Sequence, residues 1–524
     1  MTALKIDRRS MIGASATLAA ALAFARTLGG IGMAHAEDAL AQDAGAVKVA
    51  PFDASFVTNA ARTLATASFS KPTIDIPEPF NKLSYDQYRD IRFRADQAIW
   101  HGEKLDFELQ LFPMGWLYET PVDVFIVDQG DAKKLTADGH LFALGPLIGQ
   151  GPDTAPFGFS GFRVHGPINR ADYYDEYVVF QGASYLRAVG RGQNYGASAR
   201  GLALNTARPG GEEFPFFRTF WIEKPKAGTP EIIVHALLDS PSTTGAYRFV
   251  IQPGEATVMD VEVTLFPRKQ LQYAGIAPLT SMFLHGPAEQ RRSNDFRPEV
   301  HDSEGVAICN GSGELIWRPL TNPKTLQISA FMDKDPKGFG LWQRDRVFQD
   351  FQDLEARYER RPSVWVEPKG AWGEGFIELI EIPVEDEIHD NIALYWKPAK
   401  GLEAGSEHKF DYRLHWGENI PQAWAGARVA KTRIGNAKKP ETLLFVVDFD
   451  GPAVKDLRDL PVADVSANAG TTTNVVVQRN PDINGVRVAF ELSTAGADLV
   501  ELRLVLKAAE KAISESWLYR WTKP

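Results

Sequence analysis

Apolar and polar residues alternate with a period of two along most of this chain, and that pattern leaves little room for anything but β structure. Leu105-Asp106-Phe107-Glu108-Leu109-Gln110-Leu111 alternates cleanly. So do Val122–Val127, Tyr177–Phe180, Glu231–Leu238, Tyr247–Ile251, Val258–Phe266 and Leu326–Phe331. Pro and Gly separate most of these runs, and long helical periodicity is nearly absent before residue 400. One short helix is expected around Tyr85–Arg94. Residues 37–80 read as irregular, punctuated by Pro51, Pro72, Pro77 and Pro79. Past Lys397–Ser406, a linker candidate, the strands shorten: Lys409–Trp416, Leu443–Asp448, Asn474–Val477, Val486–Leu492, Leu499–Leu506 and Ser516–Trp521. Asp450-Gly451 and Asn484-Gly485 mark turns between them. The expectation is an all-β protein. A large antiparallel β-sandwich covers 37–400, a linker 401–406, and a smaller immunoglobulin-like sandwich 407–524. A length of 524 residues suits such a division.

The first 36 residues read as an address. Arg8-Arg9 precede an Ala-rich apolar run, Met11 to Ala25, and Ala34-His35-Ala36 offers a cleavage site. This is a twin-arginine signal pattern, and the apolar run is too short to span a membrane. No membrane span is expected in the mature protein. The leader carries four basic residues against one acid. Its removal therefore takes the formal net charge from -10 to -13. A chain this acidic repels a phosphate backbone, which disfavours nucleic acid as a partner. The lone Cys309 excludes an intrachain disulfide and cysteine-based metal sites. His-Glu-x-x-His, calcium-loop and phosphate-loop motifs are absent, and Phe159-Ser160-Gly161 is no nucleophile elbow. Gly190–Gly196 lacks the strand–turn–helix setting of a dinucleotide loop. Neither metal nor organic cofactor is expected.

Two acidic segments stand out, Arg297–Gly305 and Val384–Asn391, and both read as strand-to-turn junctions. They share the wording Glu-x-His-Asp, at Glu299–Asp302 and Glu387–Asp390. Glycoside hydrolysis needs two carboxyl groups, one protonated and one ionised. Solvated loop acids are the competing reading. Between or beside the segments lie Trp342, Arg344, Arg346, Tyr358, Trp365, Trp372 and Trp396. Carbohydrate sites pair aromatic faces with Arg, Asp and Glu; a sandwich core with Arg–Glu pairs reads the same way. Pro156–Arg163, Gly-spaced and aromatic, reads as a loop over a groove.

Longer strings make the chain recognisable: Arg297-Pro298-Glu299-Val300-His301-Asp302-Ser303, Trp317-Arg318-Pro319-Leu320, Gly340-Leu341-Trp342-Gln343-Arg344, Asp353–Ser363 and Trp365-Val366-Glu367-Pro368. Over residues 50–524 the chain resembles the periplasmic glucan biosynthesis proteins of the OpgG/OpgD (MdoG/MdoD) type, and its leader, similar to that of the D-type members, points to the D-type. The resemblance implies a galactose mutarotase-like large sandwich and a periplasmic protein acting on the β-1,2-linked backbone of osmoregulated periplasmic glucans. The activity implied is that of an inverting endo-glucanase or transglycosylase. The alternative is a non-catalytic protein that guides nascent glucan from a membrane glucosyltransferase. By the same resemblance Asp302 is the general base and Asp390 the general acid, with Glu387 and Tyr358 contacting substrate. Trp342, Arg344, Arg346, Trp365 and Trp396 complete the expected substrate-binding set. His389 stands where a neutral polar residue such as Asn is expected.

Overall fold

The computed structural model describes residues 49–148, 158–289, 294–418, 425–455 and 457–523. The expected leader, Pro156 and Phe157 lie outside these residues. The described chain is nearly all β. Alternation in sequence becomes alternation in burial: Thr257–Pro267 buries every second side chain along most of its length.

Two sheets face each other across the main core. One is antiparallel throughout and runs in the order Gln327–Lys334, Glu374–Glu381, Ile392–Pro398, Ala274–Ser281, Ser198–Arg200, Tyr185–Ala188, Tyr173–Gln181, Phe159–Arg170 and Glu108–Pro113; Leu202–Leu204 also pairs with Ala274–Ser281. The other contains Phe216–Glu223, Ile232–Asp239, Thr243–Gln252 and Thr257–Pro267, then Asp411–Gly417, Ser363–Lys369, Gly338–Trp342, Gly305–Cys309 and Leu315–Pro319. Side chains from both sheets interdigitate. Phe180 lies 5.1 Å from Phe162, 5.5 Å from Phe220 and 5.2 Å from Phe249, ring centre to ring centre. Each such ring contributes roughly 1.5–3 kcal/mol by leaving water.

The expected linker is fastened down. Leu402 exchanges backbone hydrogen bonds with Leu271, and the Gly405 N–H donates to Pro267 O. Asp411–Gly417, beyond it, pairs with Thr257–Pro267 on one side and Ser363–Lys369 on the other. In the C-terminal sandwich, Arg428–Asn436, Thr442–Asp450, Gly485–Ser493 and Thr471–Asn480 form one sheet. Val462–Ala467, Leu499–Ala508 and Ser516–Thr522 form the facing strands. Phe445 stacks on Phe490 at 5.1 Å and Trp517 on Tyr519 at 5.7 Å in its core. Ser516–Thr522 also pairs, in parallel, with Leu315–Pro319, so the C-terminal sandwich continues a sheet of the large one.

Two local expectations change. Phe56–Ala65, inside the stretch read as irregular, is a ten-residue helix. It buries Val57 and Ala61 against Trp221, Leu237, Ala246 and Phe266. Phe159–Arg163 opens a twelve-residue strand and is buried up to Phe162; it is no loop over a groove. The expected helix at Tyr85 is present but ends at Arg89, capped reciprocally by Ser84 and Gln87.

Candidate active site

Asp302 follows the short strand Val300–His301, which pairs with Phe283–His285. Its backbone N–H donates to Met282 O at 2.8 Å. The side chain is buried, and its carboxylate accepts from the Arg361 guanidinium. Burial pushes the Asp302 carboxyl up, and the Asp390 charge adds to that push. Arg361 and Arg187 pull the other way without cancelling it. Arg361 lies over the Tyr358 ring at 4.3 Å. Burial drives the Tyr358 phenol far above its ordinary range, so it stays a neutral hydroxyl. A Cβ at Gly196 would come within 2.9 Å of the Arg361 side chain, so only glycine lets the Tyr195-Gly196 backbone close over this arginine.

Asp390 stands on the turn between Glu374–Glu381 and Ile392–Pro398. The neighbouring Asn391 pins that turn. Its amide oxygen accepts from Phe283 N at 2.8 Å, and its NH₂ donates to Phe283 O at 2.9 Å and Ile382 O at 3.0 Å. Thr280 Oγ1 donates to Asp390 Oδ2 at 3.4 Å, and Arg187 Nη2 lies 3.9 Å from the same oxygen. Arg187 is itself braced by Ser198 Oγ at 2.6 Å. Its charge acts on both Asp390 and Asp302. Segments almost ninety residues apart in sequence thus bring their second carboxyls to one place.

Glu387 does different work. Its carboxylate pairs with Arg297 at 2.6 Å; Arg297 also binds Asp295 at 2.7 Å and Asp353 at 3.0 Å. Burial would raise Asp295, but its bonds to Arg297 overcome this and hold it down at about 2. One guanidinium therefore ties three loops to the rim beside Tyr358.

Arg187 also lines a cavity of about 850 Å³ beside strands of the antiparallel sheet. Its walls include Tyr85, Trp116, Tyr118, Arg163, Glu176 and Gln181. Trp116 is 5.1 Å from Tyr85 and 5.8 Å from Tyr118, ring to ring. Arg163 is fixed by Glu176 at 2.7 Å and Gln110 at 2.8 Å. A neighbouring cavity of about 580 Å³ shares Tyr118 and Gln181, and one of about 340 Å³ shares Trp116. Aromatic faces beside fixed hydrogen-bonding groups suit a long, neutral, hydroxyl-rich ligand. The sequence reading missed this wall. The compact aromatic loop Met114-Gly115-Trp116-Leu117-Tyr118 was its available signal.

The structure gathers Asp302, Asp390, Glu387 and Tyr358. It does not bring the other expected substrate-binding residues to them. Trp396 is fully buried in the main core beside Trp372. Trp342 and Trp365 are buried in the cluster shared with the C-terminal sandwich. Arg344 binds Glu515 at 2.7 Å and Val429 O at 2.6 Å across that junction and stacks on Trp317 at 3.6 Å. Arg346 donates to Glu359 O and Arg361 O, bracing the loop that carries Tyr358. These Trp and Arg side chains solve a packing problem with the same chemistry a sugar site uses.

Among the described residues, Glu299, His301 and Asp345 bring one donor atom each within 4.8 Å of one another. The cation among them is an ammonium: Lys431 Nζ lies 3.0 Å from Glu299 and 3.1 Å from Asp345.

The sequence model described as "Periplasmic glucan biosynthesis protein, MdoG" matches residues 52–521. The chain belongs to this family. Similar proteins named Glucans biosynthesis protein G include those of Vibrio cholerae, 50% identical over 91% of this chain and 88% of the relative, and Shewanella frigidimarina, 50% over 91% and 85%. That of Bradyrhizobium diazoefficiens is 48% identical over 92% and 96%. All three carry the G name, so the comparisons point to the G-type members and do not support the D-type assignment drawn from the leader. The all-β fold agrees with membership in this periplasmic family, and no helix among the described residues is long and apolar enough to cross a membrane.

Proposed function

We propose that this MdoG-family protein binds β-1,2-linked glucan in the groove and cleaves or remodels it by acid/base catalysis. The meeting of Asp302 and Asp390 at Arg187, beside an aromatic-walled groove, carries this reading. Asp390 donates a proton to the leaving glycosidic oxygen. Asp302 takes a proton from the water whose oxygen attacks the anomeric carbon. Arg361 aims the Asp302 carboxylate and Tyr358 supplies a neutral hydroxyl nearby. Attack by a sugar hydroxyl in place of water gives transfer instead of hydrolysis. Family membership supports a periplasmic setting, and Arg8-Arg9 supports twin-arginine export. Glucan handed over by a membrane glucosyltransferase fits the same groove.

One observation favours a second arrangement with the roles exchanged: burial pushes Asp302, not an obvious base, toward holding its proton. Leaving-group dependence separates the two. The variant lacking the acid still cleaves a glucosyl fluoride, which needs no protonation. The variant lacking the base does not, and azide restores it.

The primary test incubates the mature protein with linear β-1,2-glucan and separates the products by chromatography. Shorter chains with the wild type and intact glucan with Asp390→Asn support hydrolysis, and cyclic products shift it to transfer. Intact glucan with both proteins overturns catalysis and leaves a glucan-guiding protein.

A further inference from the structure

His301, fully buried and one residue before Asp302, has an acceptor at each ring nitrogen. Gln343 Nε2 donates to His301 O at 3.0 Å and Tyr358 O at 3.2 Å, which fixes the amide orientation. Gln343 Oε1 therefore faces His301 Nδ1, at 2.8 Å, and that nitrogen carries a hydrogen. Nε2 faces Glu299 Oε2 at 3.0 Å. The other Glu299 oxygen accepts from Lys431 at 3.0 Å. Burial acts to raise Glu299, but His301 and Lys431 overcome it and hold the carboxyl at about 2. Gln343 and Glu299 thus hold the His301 ring from both of its nitrogens, and Glu299 joins that ring to Lys431. Phe283 stacks on it at 5.3 Å and Phe351 meets its edge at 5.1 Å.

The contacts lead in both directions. Toward the cleft, Gln343 holds the backbone of His301 and of Tyr358, whose ring underlies the Arg361 that grips Asp302. Away from it stands Lys431, on the C-terminal strand Arg428–Asn436. Its ammonium also binds Asp345 and, on the helix Phe348–Phe351, Asp350, each at 3.1 Å. Glu304, also buried and pushed by that burial toward its neutral form, completes the titratable groups around this centre.

We propose that Lys431, through the buried Glu299–His301–Gln343 chain, is a positioning residue for Asp302 and Tyr358, so that the C-terminal sandwich sets the geometry of the cleft. The proposal rests on the acid/base reading for its kinetic consequence and on the contacts alone for its structural one.

The test compares the wild type with Lys431→Met, Lys431→Arg and Asp350→Asn in the full mature chain. Asp350→Asn loosens Lys431 from the more exposed side, so it keeps the test open should Lys431→Met fail to fold. Two quantities are read: kcat and KM on linear β-1,2-glucan, and the carboxyl ¹³C resonance of Asp302, assigned by its loss in Asp302→Asn. Lys431→Met is expected to lower kcat about 10–100-fold, as loss of supporting contacts does elsewhere, with KM changed little. It also moves the Asp302 resonance. Lys431→Arg restores most of both, and Asp350→Asn gives a smaller change in the same direction. An unmoved resonance and unchanged kcat in folded Lys431→Met or Asp350→Asn overturn the proposal. A moved resonance in the variants of a protein whose wild type cleaves nothing overturns the catalytic reading and supports the positioning one.

Discussion

Glu299–Asp302 and Glu387–Asp390 share their wording and live in opposite surroundings. From Arg297 to Glu304 every charged or polar side chain is buried, and each is committed to an internal partner or held neutral by burial. Around Glu387–Asp390 the turn is exposed or half-buried; Ile388 itself reaches water. The first segment is part of the core and holds its carboxyl on a buried, fixed backbone. The second is a half-exposed turn, pinned by Asn391 and by the pairing of Glu387 with Arg297, that carries the other carboxyl beside Arg187. Each is useful because of the other. A rigid, desolvated group keeps its geometry, while a group on a turn can meet a polymer that must enter and leave.

The contrast predicts that substitution in the exposed segment costs activity alone, while substitution in the buried one costs fold as well. The largest effect is expected at Asp390→Asn: kcat on linear β-1,2-glucan falls about 10²–10⁴-fold, with the thermal midpoint nearly unmoved in calorimetry. A large drop in that midpoint would break the comparison. Arg297→Met should destabilise by about 3–5 kcal/mol in denaturant titration, because three half-buried carboxylates lose the buried cation they share. Trp342→Ala should cost a similar about 3–5 kcal/mol through the cavity it opens, with glucan affinity retained. Trp116→Ala should do the reverse, weakening glucan binding about two- to ten-fold in calorimetry with stability kept.

The smallest effect is a dependence on pH. Burial and the Glu299 charge push Asp345 up to about 7, against the pull of Lys431. Between about pH 4 and 7 the unfolded chain releases this proton while the folded one keeps it, so the residue's contribution to stability falls as pH rises. Asp345→Asn removes that fall. Its thermal midpoint relative to wild type should therefore climb from about pH 5 to about pH 8, and a difference that declines would reverse the sign argued here. Glu299, held at about 2, works oppositely: its contribution is present above the ordinary carboxylate range and is lost as pH falls through about 2.

The strands were legible because a half-buried strand must alternate, and the expected runs fall within or against observed strands from Glu108–Pro113 to Ser516–Thr522. Phe56–Ala65 was not, because four flanking prolines outweighed a short apolar face whose partner, the outer side of a sheet, is set by tertiary structure. In the site, the family resemblance singled out Asp302 and Asp390. Composition could not tell Arg344, which clamps two sandwiches, from an arginine that faces a ligand. Nor could it place Tyr85, Trp116 and Tyr118 together, since their meeting depends on a helix and a loop folding over one sheet.

The central claim is that Asp302 and Asp390 serve one glucan-filled groove, and the crystal structure of Asp390→Asn with a linear β-1,2-glucan oligosaccharide tests it most directly. The account predicts sugar rings against Tyr85, Trp116 and Tyr118, with a glycosidic oxygen in hydrogen-bond reach of residue 390 and the neighbouring anomeric carbon facing Asp302. An oligosaccharide seated away from both carboxyl positions would contradict it.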